Sequence, residues 1–340
     1  MSNDLRNYLV RLLNGKSLSR LEATDLVDRL LDNDSSDAKI AATLAAMTAK
    51  GETVEELAGM ASALRARAIN IKSCHRRFID TAGTGSSPAK VFNISTAAAF
   101  VIAGAGLPVA KHGNRAASST SGSADVLSAM GVNISATPEV SQHCLNEIGI
   151  CFMFAPIYHG ATARVAAVRR ELGIQTSFNL LGPLSNPARA PRQIIGVCRP
   201  RLVELLAHVL ALLGTERAWV VHGEDGLDEI TLAGKTFVAE ALEGRVSTFE
   251  ITPTDFGYSE SSLTHLRGGD AESNAGIIRD VLAGTRRDEA RALVVANAAA
   301  ALVVGSQAGD LREAVVLAET SIDSGAAQMK LQQLISITNN

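Results

Sequence analysis

The sequence predicts an α/β protein: a small all-helical domain over residues 1–71, then a large α/β domain over 72–340 built on a mostly parallel central sheet. Three observations lead there. The first seventy residues repeat apolar side chains at helical spacing, with capping signals between the repeats. From Phe78 onward short apolar runs alternate with segments of helix length, the pattern of strands joined by crossover helices. The composition, 46% hydrophobic but only 4% aromatic over 340 residues, gives an aliphatic core and a length of roughly two domains.

Taken in order, Leu5, Leu9, Leu12 and Leu13 share a helical face, and Gly15 ends that helix. A second helix is expected from about Ser19 to Leu31, and a third over 38–49, stopped by Gly51. Thr53 followed by Glu56 is a capping-box signature, and Leu57, Met60 and Leu64 supply the stripe of a fourth helix. Such stripes need partners, so they equally suit a subunit interface. Candidate strands are residues 78–80, 107–110, 132–134, 150–154, 193–197 and 219–222. Helices over 95–105, 138–148 and 201–213 separate most of them. Residues 159–172 read as a helix, and 178–187 as an irregular Gly/Pro/Asn-rich connection. Strands over 236–240 and 246–250 follow, and two helices, about 288–304 and 311–324, finish the chain.

A net charge of −3 gives no general attraction to nucleic acid or anionic membrane, so any phosphate site has to be local. The cysteines, Cys74, Cys144, Cys151 and Cys198, lack close pairing and read as reduced and structural. Residues 1–13 are amphipathic and carry Asp4, Arg6 and Arg11, unlike a signal peptide. No apolar run reaches membrane-spanning length without charges or glycines, and a cytoplasmic protein is expected.

Chemistry concentrates in residues 111–125, Lys-His-Gly-Asn-Arg-Ala-Ala-Ser-Ser-Thr-Ser-Gly-Ser-Ala-Asp. Two fixed cations, an imidazole, an amide and many hydroxyls lie between an apolar run and a helix-like run. That inventory makes an anion site, most naturally for phosphate, or a solvated polar loop. Asp80 to Ser87 place Gly83 and Gly85 after a strand, as a ligand approach or a tight turn. Asn93-Ile94-Ser95-Thr96 opens an apolar helix, where free N–H groups face an anion or a capping hydroxyl closes the end. Asp228 and Glu229 are oxygen donors of the kind that suits Mg²⁺ if the backbone turns there, or else an acidic loop. Arg169 offers a planar fork to a carboxylate, or belongs to a basic helix surface with Arg164 and Arg170.

Together these residues are recognisable. Gly83-Thr84-Gly85, Phe92-Asn93-Ile94-Ser95-Thr96, Lys111-His112-Gly113-Asn114-Arg115 and residues 118–127 resemble the anthranilate phosphoribosyltransferase family. So do Phe154-Ala155-Pro156, Phe178-Asn179-Leu180-Leu181-Gly182-Pro183-Leu184, Asn186-Pro187-Ala188 and Leu227-Asp228-Glu229, in the same order along the chain. The resemblance implies a nucleoside phosphorylase-like architecture, with part of about 163–190 packing on the helical domain, and a homodimer formed through that domain. It implies transfer of phosphoribose from phosphoribosyl pyrophosphate to anthranilate, with Mg²⁺, in tryptophan biosynthesis. By position, Gly83, Asn93, Ser95, Thr96, Lys111, His112, Gly113, Asn114, Arg115, Ala116, Ala117, Ser118, Ser119 and Ser123 hold the donor; Ser86, Ser87, Val91 and Ile94 complete the substrate-binding set. Ser95, Asp228 and Glu229 hold Mg²⁺. Asn114 and Arg169 meet the acceptor, Gly83 and Gly182 lie close by, and His159 lines the same channel.

The chain departs from the family's pattern in four places. Gly85-Ser86-Ser87-Pro88 stands where Gly-Gly-Asp-Gly is usual, and Val91 replaces a threonine. His159-Gly160-Ala161-Thr162 replaces His-Pro-Ala-Met, and Gln175 an arginine. The alternatives these suggest are transfer to a different aromatic amine, and a non-catalytic homologue that binds nucleotide or nucleic acid.

Overall fold

Four capped helices open the chain: α1 (Leu5–Leu13), α2 (Arg20–Leu31), α3 (Asp37–Lys50) and α4 (Val54–Arg67). They belong to a computed structural model that describes residues 4–32, 34–85, 91–116, 121–263 and 266–340. The expected binding residues Ser86, Ser87, Ala117, Ser118 and Ser119, and Pro88 with them, lie outside the described residues.

Ser19 and Thr53 accept from the backbone N–H groups of Glu22 and Glu56, whose carboxylates return to the cap N–H groups. Glu56 does more than cap. Its buried carboxylate also accepts from the Leu18 N–H at 2.8 Å and pairs with Lys50 Nζ at 2.8 Å. One side chain therefore ties α3, α4 and the approach to α2 together. Removing it strands a buried ammonium, so Glu56→Ala is expected to destabilise the protein by about 3–5 kcal/mol. Urea unfolding checks this, with the more exposed Glu22→Ala as a control expected to lose about 2 kcal/mol or less.

Strand–helix alternation follows. The elements are β1 (Ile79–Gly83), α5 (Ile94–Gly104), β2 (Val109–Gly113), α6 (Ser123–Ala129), α7 (Pro138–Ile148), β3 (Ile150–Phe154), α8 (Ala155–Tyr158) and a 3₁₀ turn, Gly160–Thr162. Then come α9 (Ala163–Leu172), α10 (Ser177–Leu184), β4 (Arg192–Gly196), α11 (Arg201–Leu212), β5 (Arg217–Gly223), β6 (Thr236–Leu242) and β7 (Arg245–Ile251). The last are α12 (Pro253–Phe256), α13 (Ala271–Leu282), α14 (Glu289–Val304), α15 (Leu311–Asp323) and α16 (Ala326–Thr338). Among the described residues the sheet runs β3-β2-β1-β4-β5-β6-β7. Its first five strands are parallel, and β6 and β7 extend it antiparallel. Successive strands build to one side of β1 and then, from β4, to the other. The carboxyl ends of β1 and β4 thus form a switch point, where diverging connections leave a crevice.

The sheet separates two cores. Ile194, Trp219 and Val221 face one, with α5 and α14. Ile195, Ala218 and Val220 face the other, with α11 and the four N-terminal helices. Val165, Val168, Phe178 and Leu181, from α9 and α10, pack into that second core. No helix among the described residues is long and apolar enough to cross a membrane. All four cysteines are free, and Cys144 and Cys151 are buried.

Four expectations are corrected. Residues 132–134 are not a strand: the Val132 N–H closes a turn onto the Leu127 carbonyl, and the Asn133 N–H goes to Thr338 Oγ1, so no ladder forms. Residues 178–187 are not irregular throughout. The Thr176–Asn179 capping pair and buried Phe178, Leu180, Leu181 and Leu184 carry α10 despite Gly182 and Pro183. The helix expected over 159–172 begins at Ala163, after α8 and the 3₁₀ turn. The C-terminal region also holds α13 and α16; Gly325, at φ +77°, is the N-cap of α16.

Candidate active site

Glycines set the crevice floor. Gly83 ends β1 beside Gly196 at the end of β4, and the loop after β5 crosses above them. A Cβ at Gly196 would lie 1.6 Å from the Asp228 carbonyl oxygen, so only glycine admits this crossing. A Cβ at Gly83 would lie 3.6 Å from Asp228 Oδ2. Gly196→Ala must displace the Asp228–Glu229 segment. The expected result is a loss of stability of about 1–3 kcal/mol, checked by urea unfolding.

The turn that this acid pair requires is present. Gly226, at φ +85°, follows Asp225, whose Oδ1 accepts from the Leu227 N–H at 3.2 Å. Asn297 on α14 then grips Ile230 from both sides, accepting from its N–H at 2.9 Å and donating to its carbonyl at 3.0 Å. Glu229 Oε1 accepts from the Ser95 N–H at the start of α5, 3.2 Å away. Burial and the adjacent Asp228 carboxylate push the Glu229 carboxyl up to about 8. Glu229 at Ser95 and Asp228 beside Gly83 are adjacent hard oxygen donors, and they fit Mg²⁺.

Asn93 is the N-cap of α5 and makes no capping bond of its own; its side chain donates to the Ser121 carbonyl and accepts from Asn274. Ile94 and Thr96 are buried, Thr96 Oγ1 without a partner. Lys111 and His112 are not loop residues, because β2 continues to Gly113. Lys111 Nζ donates to the carbonyl and to Oγ1 of Thr81 on β1, the latter at 3.2 Å. Burial pulls this ammonium below its ordinary value, while Asp80 and Glu229 oppose the shift.

The loop begins at Asn114, which is exposed. A Cβ at Gly113 would clash with Ser123 Oγ, and the Asn114 carbonyl accepts from the Ala124 N–H at 3.2 Å and from Ser123 Oγ at 3.4 Å. Arg115 pairs with Asp125 at 2.8 Å and lies over the Phe154 ring. Asp125 also accepts from the N–H groups of Ala116 and Gly122, both at 3.0 Å. Burial works to raise this carboxyl, but those donors and Arg115 outweigh it and leave it below the usual value.

On the other flank, His112 Nδ1–H donates to the Gly182 carbonyl at 3.1 Å, and its Nε2 is buried without a partner. The His159 ring lies 5.2 Å away, its Nε2 equally buried and unpartnered. Burial, His159 and Lys111 bring His112 down to about 3, and burial lowers His159, so both rings are neutral. Arg169 Nη2 donates to Asn179 Oδ1 at 3.0 Å, and the guanidinium lies over Phe178. Its Nε is buried and unpartnered among the described residues, and burial lowers its proton affinity with no described acid opposing that shift. At Gly182 an added Cβ would meet nothing within 4 Å, which leaves open space there.

The structure thus groups Gly83, the α5 start, Lys111, Asp228 and Glu229 on one side, and His112, His159, Gly182 and Arg169 on the other. Val91 stands apart, in a backbone bridge with Arg267. Sequence reasoning gave no role of their own to Asp80, Thr81 and Asn179, which it met only inside longer motifs, and passed over Gln193, Gly196 and Asn297. Asp80 is buried beneath the site, its Oδ1 accepting from the His112 N–H at 3.1 Å, and burial pushes its carboxyl up to about 6. An acid and a glutamine inside apolar strand runs were the available signals for Asp80 and Gln193.

A helical bundle set against a mostly parallel sheet, with an acid pair at the switch point, is the arrangement of a glycosyl-transferring class. Residues 6–68 match the helical bundle domain, and residues 75–328 the a/b domain, of a glycosyl transferase family. The chain belongs to the anthranilate phosphoribosyltransferase family. It is 51% identical over 334 residues to the anthranilate phosphoribosyltransferase of Anaeromyxobacter dehalogenans, with 98% of each chain covered. The enzyme of Thermus thermophilus superposes with a TM-score of 0.92 at 37% identity, covering 98% of this chain and 99% of that one. The Saccharomyces cerevisiae enzyme in complex with phosphoribosyl pyrophosphate and Mg gives 0.90 at 28% identity, with 98% of each covered.

Proposed function

We infer that the protein transfers phosphoribose from phosphoribosyl pyrophosphate to the amine of anthranilate, giving N-(5-phosphoribosyl)anthranilate and pyrophosphate, in tryptophan biosynthesis. The observation that carries this reading is that consecutive residues join the two halves of the reaction. Lys111 lies beside Glu229 of the acid pair, and His112 meets Gly182 and His159 on the flank where α10 also holds Arg169 through Asn179.

Asp228, Glu229 and Ser95 would hold Mg²⁺, which supplies charge neutralisation to the pyrophosphate oxygens. The start of α5 and Lys111 add fixed positive potential where negative charge develops on the leaving group. An aromatic amine is unprotonated at neutral pH, so the acceptor needs positioning more than a strong base. Arg169 is partly desolvated and pairs with no acid among the described residues, a fit for the anthranilate carboxylate. His112 Nε2, its tautomer fixed by the Gly182 carbonyl, is an acceptor for an amine hydrogen.

The family membership favours this reading over a different aromatic amine or a non-catalytic nucleotide-binding or nucleic-acid-binding homologue. The polyanionic donor does not cross a bilayer unaided, which agrees with a cytoplasmic location. Exposed Val10, Leu13 and Leu21 on α1 and α2 support a homodimer through the helical domain. The division into 1–71 and 72–340 is part of the same reading, with α9 and α10 packing on the helical part. Loss of anthranilate fluorescence with donor and Mg²⁺ present tests the activity. Absence of turnover at high enzyme concentration rejects it.

A further inference from the structure

The C-terminal end of α10 is held in an unusual way. The last carbonyls of a helix have no partner within it. In α10 three of them are taken by side chains from three other elements. His112 on β2 donates to Gly182, Gln193 on β4 donates to Pro183 at 2.8 Å, and Arg65 on α4 donates to Leu184 at 2.7 Å. Arg65 comes from the helical domain, and the other two from the sheet. The same helix carries Asn179, whose Oδ1 accepts both from Arg169 and from the Thr176 N–H.

Gln193 is the least expected member. It is 0% exposed, and its bond to Pro183 fixes which way the amide points, leaving Oε1 buried without a partner among the described residues. An apolar side chain would fill the same place without an orphaned acceptor, so filling space does not account for the amide. Nor is α10 firmly held by its own ladder, since Pro183 lacks an N–H.

We propose that Gln193 is a positioning residue for the acceptor: from the sheet it grips the Pro183 carbonyl and so sets α10, with Asn179 and the Arg169 guanidinium, against the strand that carries His112. Gln193 touches neither substrate in this scheme. It acts through Arg169 and sets where the acceptor carboxylate lies relative to the donor.

The inference rests on the acceptor being anthranilate, and wild-type turnover is measured first so that the two can fail separately. No turnover by the wild type removes the functional reading and this inference with it. With turnover established, Gln193→Met is expected to raise KM for anthranilate about tenfold, with the calorimetric Kd for the donor and Mg²⁺ within about threefold of wild type. The shorter amide of Gln193→Asn cannot reach Pro183, and it serves if the methionine variant does not fold. A double-mutant cycle is the deciding measurement. In an Arg169→Met background the Gln193 substitution should raise KM no more than about twofold, because the group it positions is already gone. Independent, multiplicative effects overturn the proposal. So does equal weakening of donor and acceptor, which marks a general structural role.

Discussion

Arg169→Met is expected to lower kcat/KM for anthranilate by at least about 30-fold, corresponding to 2 kcal/mol or more, with donor affinity nearly unchanged. The guanidinium is partly desolvated, its fork is held by Asn179, and no acid among the described residues has claimed it. A carboxylate arriving there gains a charge-assisted bond in a place where water competes poorly. Arg169→Lys should recover little of the loss, because a single ammonium reproduces neither the fork nor the stacking on Phe178. Acceptor KM and donor Kd measured on the same preparations check this. Equal losses on both substrates would place Arg169 in the scaffold instead.

The second large effect concerns the metal and pH. With no cation bound, the Glu229 carboxyl, pushed up to about 8, carries a proton at pH 7. A folded-state value above the unfolded one stabilises the protein fully at low pH, below the unfolded value. That contribution is lost as pH rises through about 8, so the metal-free protein should weaken over that window. Mg²⁺ reverses the trend, since a cation requires the carboxylate and expels its proton. Donor binding with Mg²⁺ should therefore tighten by up to about tenfold per pH unit below 8 and level off above it. Calorimetry in buffers of different ionisation enthalpy counts the released proton. Because the donor phosphates titrate too, the comparison is with Glu229→Gln, which should lose that extra proton and most of its Mg²⁺-dependent turnover. Equal proton release from both proteins would mean that Glu229 is not the group displaced.

The sequence was most legible where local chemistry decides structure. Thr137 and Pro138 start α7 and Gly149 stops it, so that helix and the strand after it lie where the pattern puts them. Residues 132–134 have the composition of a strand but no neighbour to pair with, and sheet membership is not a local property. In α10 a glycine and a proline argue against helix, yet burial of four apolar side chains prevails. The acid pair could be named from its spacing, but the turn that makes it usable depends on Asn297, 68 residues beyond Glu229 in the chain. Asp80 and Gln193 were harder still, because their meaning lies in partners on other strands and on α10.

The shared core on one side of the sheet also has a temporal side. Helices α1 to α4 leave the ribosome ahead of the surface that covers them, which includes Phe178 and Leu181 of α10 and Leu206 and Leu210 of α11, more than 100 residues later. At about 5–20 residues per second, the young helices spend of order ten seconds with leucines and methionines awaiting their lid. Their strong caps and the buried Lys50–Glu56 pair, all closed within the first 67 residues, let the bundle hold its own shape during that interval. For a cell making this protein, the vulnerable species is then a half-made chain, and chaperone demand should follow translation speed.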